Sequence, residues 1–403
     1  MIDSLKGIFH RLIAEQQTLT FRYLYHSFTL NDRLISLIGP RGVGKTTLLL
    51  QIIKNQFADL QAVFYFSADH LYFNSNTLYQ FIENLHRNED ITTFFIDEIH
   101  KYPNWEQEIK NIYDGFPKIK IVFSGSSSLD LVKGSYDLSR RARLETLQGL
   151  SFREYLNFKT NTDFEPIAFE GLLEKPLDYN NLLPNIPRIK SQFRDYLRAG
   201  YYPFFLEGEK PYYERILRVI EKTIYEDIAG FYNLKTQNLP IFKKILNYFS
   251  TIEPGSYSQH NLAKNLSIDD KTVAHYLSIL ESTGLIRAVY PYAKGNALLR
   301  KPEKIFLNNT TLSSAINSAL GENQSIGLIR ELFFLQSTYN AGIQLFHTTV
   351  GDYRTKTHGF EIGGKGKTGK QVKNADIPTF LVKDDILFAS QKEIPLYLFG
   401  FLY

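Results

Sequence analysis

Gly39-Pro-Arg-Gly-Val-Gly44-Lys45-Thr46 decides how the first part of this chain folds. It meets the pattern GxxxxGK[ST] at every fixed position, and its setting turns the match into a structural one. Arg33-Leu-Ile-Ser-Leu-Ile38 before it is a short apolar run of the kind found in a buried parallel strand. Helix formers follow at once in Thr47-Leu-Leu-Leu-Gln-Ile-Ile53. Glycines in such a loop let backbone N–H groups close around phosphates, and the positive end of the next helix adds to the attraction. The expected cradle is Gly39, Pro40, Arg41, Gly42, Val43, Gly44, Lys45, Thr46 and Thr47. Lys45 is placed to reach the β- and γ-phosphates, and the Thr46 hydroxyl to bind Mg²⁺. ATP with Mg²⁺ is therefore the expected ligand.

A second half of the site lies downstream. Thr93-Phe-Phe-Ile-Asp97-Glu98 is an apolar strand ending in two acids. Asp97 is suited to hold Mg²⁺ through water, and Glu98 to orient and polarise an attacking water. His100 follows, where a lone histidine at a helix start more often caps or packs than catalyses. Another strand, Lys118 to Phe123, ends in Ser124-Gly-Ser-Ser-Ser128. Ligands in open parallel sheets lie beyond the carboxyl ends of the strands. Ser124 or Ser126 then contacts the γ-phosphate or the lytic water, or else these serines cap a helix. In Ser139-Arg140-Arg141-Ala-Arg143, Arg141 is the chosen candidate to stabilise transition-state charge, in its own subunit or in a neighbour. A structural ion pair is the alternative. Leu144-Glu-Thr-Leu147 alternates like a fifth strand.

Bulk properties narrow the classes. The chain has 403 residues, 43% hydrophobic and 14% aromatic, which suits two or three domains with real cores. It contains 0 cysteines, so disulfides, thiolate metal sites and a cysteine nucleophile are excluded, and a cytoplasmic home is expected. Neither a signal peptide nor a membrane span is expected, because MIDSLKGIFHRLIAEQ carries charges every few positions and no segment reaches the ~18 uninterrupted apolar residues a span requires. A net charge of +4 permits contact with nucleic acid without arguing for it.

Together the phosphate loop GPRGVGKTTLL, the run FFIDEIHKYPNWEQEIK, the strand end FSGSSS, and LSRRA followed by LSFREYL resemble one group. It is the prokaryotic ATPases that pair an AAA domain with a C-terminal domain of unknown function. The resemblance continues through AGYYPFF (199–205), KTIYEDI (222–228) and KPEKIFLNN (301–309) to IPLYLFGFLY, and so covers essentially the whole chain. It implies an α/β AAA+ core with sheet order 5-1-4-3-2, a helical linker, a winged helix and a terminal α+β domain related to restriction-type nucleases. The expected limits are 1–155 for the ATPase domain, 156–250 for the linker, 251–300 for the winged helix and 301–403 for the terminal domain.

The residues of the later segments bear on these expectations. Asp163 to Pro187 reads as connections, and Tyr212 to Phe249 as helix. Ser258–Asn265 and a helix opening at Asp269-Asp270 form a helix-turn-helix, followed by a wing strand at Leu285–Tyr290. Its second helix exposes Lys271, Thr272 and His275, but the two acids at its start repel phosphates. Beyond 323, a helix at Ile326–Tyr339 precedes strands near Ile343–Thr348, Asp352–Thr355, Phe360–Ile362, Pro378–Val382, Asp385–Ala389 and Pro395–Phe401. A nuclease site of the restriction type would use Glu331, Asp352 and Glu361 with a lysine two residues on. Gly363 stands there instead, and Lys365 follows behind a double glycine, so a degenerate scaffold is expected. The basic stretch Lys365, Lys367, Lys370 and Lys373, with Arg354 and Lys356 before it, is the most plausible nucleic-acid surface.

Three functions follow as expectations. One is an ATP-hydrolysing protein whose cycle drives C-terminal modules that contact DNA or a protein partner. Another is a nucleotide-gated switch with slow turnover, and the disfavoured third is an ATP-regulated nuclease. A homo-oligomer is also plausible, because AAA domains often place an arginine across a subunit boundary.

Overall fold

The computed structural model describes residues 2–16, 20–125, 138, 140–208, 211–232, 234–253, 255–292, 302–372 and 375–403. The chain divides into two compact units, Met1–Gly149 and Leu150–Tyr403.

In the first unit α1 (Ile2–Glu15) and α2 (Tyr23–Ser27) precede the phosphate loop. Strands β1 (Leu34–Ile38), β2 (Val63–Ser67), β3 (Thr93–Asp97), β4 (Lys120–Ser124) and β5 (Arg143–Thr146) form one parallel sheet in the order β2-β3-β4-β1-β5. This is the implied order 5-1-4-3-2 read from its other edge. Every residue of β1 and β3 is buried, as expected of parallel strands covered on both faces. Strand β2 is a short apolar run, Val-Phe-Tyr-Phe-Ser, with no motif beside it to mark it in the sequence. Helices α3 (Lys45–Gln56), α4 (Leu78–Glu89) and α5 (Trp105–Gly115) alternate with the strands. In α4, Thr77 caps the Gln80 N–H, and Leu78, Phe81, Ile82 and Leu85 form a buried stripe at helical spacing.

The second unit opens with α6 (Phe152–Thr160), started by a capping box between Ser151 and Glu154. Helices α7 (Phe169–Glu174), α8 (Ile189–Ala199) and α9 (Tyr212–Lys222) follow, and α9 runs on through a π-helical stretch, Thr223–Ile228. Next come α10 (Leu239–Thr251), α11 (Gln259–Leu266) and α12 (Asp270–Ser282), then β6 (Ile286–Val289) antiparallel to β7 (Lys304–Leu307). Helices α13 (Thr310–Leu320) and α14 (Ile326–Asn340) lead to a second sheet. It contains β8 (Phe346–His347), β9 (Tyr353–Arg354), β10 (Gly359–Gly363), β11 (Thr379–Lys383) and β12 (Glu393–Pro395) in the order β12-β11-β10-β9-β8. Strands β10, β11 and β12 are parallel, while β8 and β9 run antiparallel to their neighbours.

Two motifs that the resemblance singled out prove to be joints of this unit. Asn309 caps α13 through the Leu312 N–H and also donates to the Tyr202 hydroxyl, while the Tyr201 N–H donates to Thr311. Gln336 completes the network by donating to Tyr196 and accepting from the Thr310 N–H. All are buried, where an unmet polar group would be costly.

The contacts divide the chain once, whereas the sequence reading placed boundaries after 155, 250 and 300. Phe152, Tyr196, Phe333, Phe399 and Phe401 belong to one hydrophobic cluster, so residues read as linker share a core with the terminal sheet. Two expected strands also differ. Pro395–Phe401 becomes a 3₁₀ helix over Leu396–Phe401, and Asp385–Ala389 is not a strand, with Asp385 at φ 64°.

Candidate nucleotide site

Strand β1 delivers the phosphate loop to the carboxyl edge of the first sheet. There the Leu147 N–H donates to the Ile38 carbonyl, which draws the end of β5 against the loop. A Cβ on Gly39 would stand 2.1 Å from the Leu147 carbonyl oxygen, so only glycine fits this approach. Gly44 is the cap residue of α3 and holds φ 95°, which turns the loop directly into the helix. Arg22 braces the assembly from outside. Its buried guanidinium donates to the Val43 carbonyl at 2.5 Å and to the Gln148 carbonyl at 2.7 Å. The sequence reading missed Arg22, because no local pattern links residue 22 to residues 43 and 148.

Lys45 is buried, and its ammonium donates to the carbonyls of Gly39 at 2.9 Å and Pro40 at 3.1 Å. The cation thus lies across the mouth of the loop. Asp97, at the end of β3, is buried and receives donors on both oxygens. Thr46 Oγ1 at 2.5 Å and the Tyr65 hydroxyl at 3.0 Å donate to Oδ2. Ser124 and the Glu98 N–H, the latter at 3.1 Å, donate to Oδ1. Burial, reinforced by the Asp97 charge, pushes the Tyr65 hydroxyl well above the usual phenol range, so it stays a donor. Tyr65 also escaped the sequence reading, since an apolar strand with one tyrosine reads as core.

Glu98 holds φ 51°, a conformation non-glycine residues rarely adopt and one that collects at functional sites. His100 Nε2 lies 3.4 Å from Glu98 Oε2, so this histidine faces the candidate base. Thr46, Asp97, Glu98 and Ser124 are therefore brought together. Ser126 lies outside the described residues.

Arg141 does not join them. It contacts Asp114 at 3.4 Å and lies over the Tyr113 ring, 5.8 Å from its centroid. Asp114 sits in the last turn of α5, just before the chain re-enters the sheet. Arg143 pairs with Ile35, so Arg141 precedes β5 at the amino edge. The phosphate loop leaves the opposite edge, ~13 Å further along the strands. The own-subunit role considered for Arg141 is thereby corrected; a role toward a neighbouring subunit is not affected.

The acids of the second unit have separate partners. Glu331 accepts from Lys304 at 2.8 Å and from the Tyr353 hydroxyl at 2.5 Å. Asp352 accepts from the Ile362 N–H at 2.7 Å. Glu361 is buried and pairs with Lys367 at 3.0 Å. Lys365 is exposed, and it is Lys367 rather than Lys365 that reaches Glu361. The physical reason is Gly363, where a Cβ would stand 2.9 Å from Lys367 Cγ and Cδ. The bare backbone there is what Lys367 packs across to reach Glu361. Among the described residues, no group of three or more acids and histidines is arranged to hold a metal ion. Of the basic stretch, Lys365 and Lys370 are exposed and Lys373 lies outside the described residues. Arg354 lies over the Tyr292 ring at 4.0 Å.

Sheet order, phosphate loop and acidic strand end define a P-loop nucleotide-binding protein of the AAA class. More particularly, it is an AAA-type protein that pairs an N-terminal AAA domain with a C-terminal domain of unknown function. Residues 31–156 match the family model described as an AAA domain, and residues 190–324 match a domain of unknown function (DUF8612). An uncharacterized protein of Methanocaldococcus jannaschii, MJ1637, is 32% identical over 307 residues, 72% of this chain. The match spans 64% of the length of that relative. Among solved structures, AMPPCP-bound DnaA from Aquifex aeolicus is 18% identical, with 64% of this chain and 84% of that one covered at a TM-score of 0.27. PCH-2 of C. elegans is 16% identical, with coverages of 67% and 68% and a TM-score of 0.26. No helix among the described residues is long and apolar enough to cross a membrane.

Proposed function

We propose that the protein hydrolyses ATP to ADP and phosphate in a Mg²⁺-dependent reaction at the first unit. The observation that carries this reading is the Thr46–Asp97 contact at 2.5 Å with Glu98 next in the chain. Hydroxyl and carboxylate oxygens are the hard ligands Mg²⁺ selects, and Thr46 and Asp97 would hold it. When bound, the ion neutralises charge on the phosphate oxygens. Lys45 adds a second positive charge there, and Gly39 lets the end of β5 close against the loop that cradles the phosphates. Glu98 orients the attacking water and takes up its proton, and Ser124 keeps Asp97 aimed. Arg141 would serve a neighbouring subunit, which requires a homo-oligomer.

The C-terminal unit is read as the output of this cycle. Helices α10, α11 and α12 with the β6–β7 pair have the element order of a winged helix. The acid-capped start of α12 disfavours DNA there; of the basic stretch read as a nucleic-acid surface, Lys356, Lys365 and Lys370 are exposed among the described residues. Turnover measured alone, then with single-stranded DNA, duplex DNA and RNA, distinguishes these partners from a protein, for which the response is flat. Hydrolysis itself is tested by Glu98→Gln. Loss of the base should cut kcat roughly 100-fold or more while ATP affinity persists. Equal turnover in variant and wild type would instead indicate a nucleotide-gated switch.

A further inference from the structure

We propose that Tyr65 is a positioning residue of the nucleotide site, holding Asp97 Oδ2 in place when Thr46 turns to a bound cation. The inference rests on the reading of Thr46 and Asp97 as the Mg²⁺-holding pair.

The two oxygens of Asp97 are held differently. Oδ1 accepts from Ser124 at the end of β4 and from the Glu98 backbone at 3.1 Å. Neither donor is assigned to the ion. Oδ2 accepts from Thr46 at 2.5 Å and from Tyr65 at 3.0 Å. A threonine hydroxyl that lends its lone pair to Mg²⁺ must rotate, and its bond to the carboxylate changes with it. Among the described residues, Tyr65 is then the donor on Oδ2 whose position is independent of the ion. Its rigidity comes from the sheet. Tyr65 lies in β2 opposite Phe95 of β3, two residues before the Ser67–Asp97 pair, and its ring is buried. A phenol carried on a paired strand reaches diagonally to Asp97 with only two side-chain torsions to fix. An acid that holds a hydrated ion through water does so only while both oxygens keep their aim.

Tyr65→Phe removes one oxygen and keeps the packed ring. The measurement is binding of a methylanthraniloyl-labelled ADP, first in EDTA and then across a Mg²⁺ titration. The expected result is unchanged affinity in EDTA and a roughly tenfold higher Mg²⁺ concentration for half-maximal enhancement, the size of one lost hydrogen bond to a charged group. Coincident Mg²⁺ curves overturn the proposal. So does a parallel fall of affinity with and without Mg²⁺ accompanied by a lower melting temperature, which would make Tyr65 a packing residue. Tyr65→Leu, which loses ring and hydroxyl together, gives a second reading if the phenylalanine variant folds poorly. It should show the same Mg²⁺ shift wherever EDTA binding survives, and no shift there would overturn the proposal. Failure of the underlying reading looks different, because wild type itself would then show no Mg²⁺ enhancement.

Discussion

Glu361 and Lys367 show how one missing side chain can set the chemistry of another. Glu361 is 1% exposed on its side chain and Lys367 30%, at 3.0 Å from each other. Gly363 is the position over which the Lys367 stem passes, with Lys367 Cγ and Cδ 2.9 Å from where a Cβ would stand. Gly363→Ala should therefore displace Lys367 and leave a buried carboxylate without its cation. Breaking a fully buried pair costs about 3–5 kcal/mol, and roughly 2 kcal/mol is expected here because the ammonium reaches solvent. Urea unfolding of Gly363→Ala checks the loss. Adding Glu361→Gln removes the charge that needs compensation, so the double variant should lose less than the sum of the single losses. Strict additivity would show that the glycine matters for backbone reasons alone. The sequence pointed at the right neighbourhood here but at Lys365, two residues short. Which lysine returns depends on the path of the chain after Gly364, and spacing does not encode that path. Asp97, Glu98 and Thr46 were legible because their positions follow from a strand end and a loop–helix junction. Tyr65 and Arg22 were not, since each reaches the site from another element.

At the scale of elements, the start of α12 combines a cap with an electrostatic bias. Asp269 accepts from the Lys271 and Thr272 N–H groups at 2.9 Å each and from the Thr272 hydroxyl at 2.6 Å. These bonds, the Thr272 hydroxyl foremost, hold its carboxyl below the usual range. A depressed carboxyl contributes stability that is complete above its unfolded-state value and is lost as pH falls through the lower folded-state value. The gap in melting temperature between wild type and Asp269→Ala should thus be constant above about pH 4 and shrink below it. A gap that widens on acidification would rule out the cap. Local signals of this kind made α12 legible in advance, as Ser258 did for α11. The final apolar run was not. A short buried run fits a strand or a helical turn equally by periodicity, and Leu396–Phe401 took the 3₁₀ form. The same ambiguity hid β2, whose five residues carry no turn signal of their own.

Across the whole molecule, fold class was legible because the phosphate loop and the acidic strand each imply their neighbours. The core that Phe152 shares with Phe401 was not, because no local pattern reports such a meeting. The position of Arg141 has the largest consequence at this scale. Its contacts with Asp114 and Tyr113 keep it at the amino edge of the sheet, away from the phosphate loop of its own chain. If Arg141 assists hydrolysis, it does so across a boundary between copies, and each complete site then draws on two chains. Complementation between two defective variants follows from this. Glu98→Gln lacks the base but presents Arg141, whereas Arg141→Ala keeps the base but cannot serve its neighbour. Each alone should bind ATP with near wild-type affinity and turn over slowly, since removing a transition-state contact lowers kcat rather than binding. Mixed and allowed to exchange subunits, they should hydrolyse ATP faster than the sum of the separate rates, because some interfaces join an intact base to an intact arginine. The gain should rise with protein concentration and follow the fraction assembled by size in the presence of ATP. A mixture that never exceeds the sum, from variants shown to assemble, would remove Arg141 from the reaction and return it to its ion pair with Asp114.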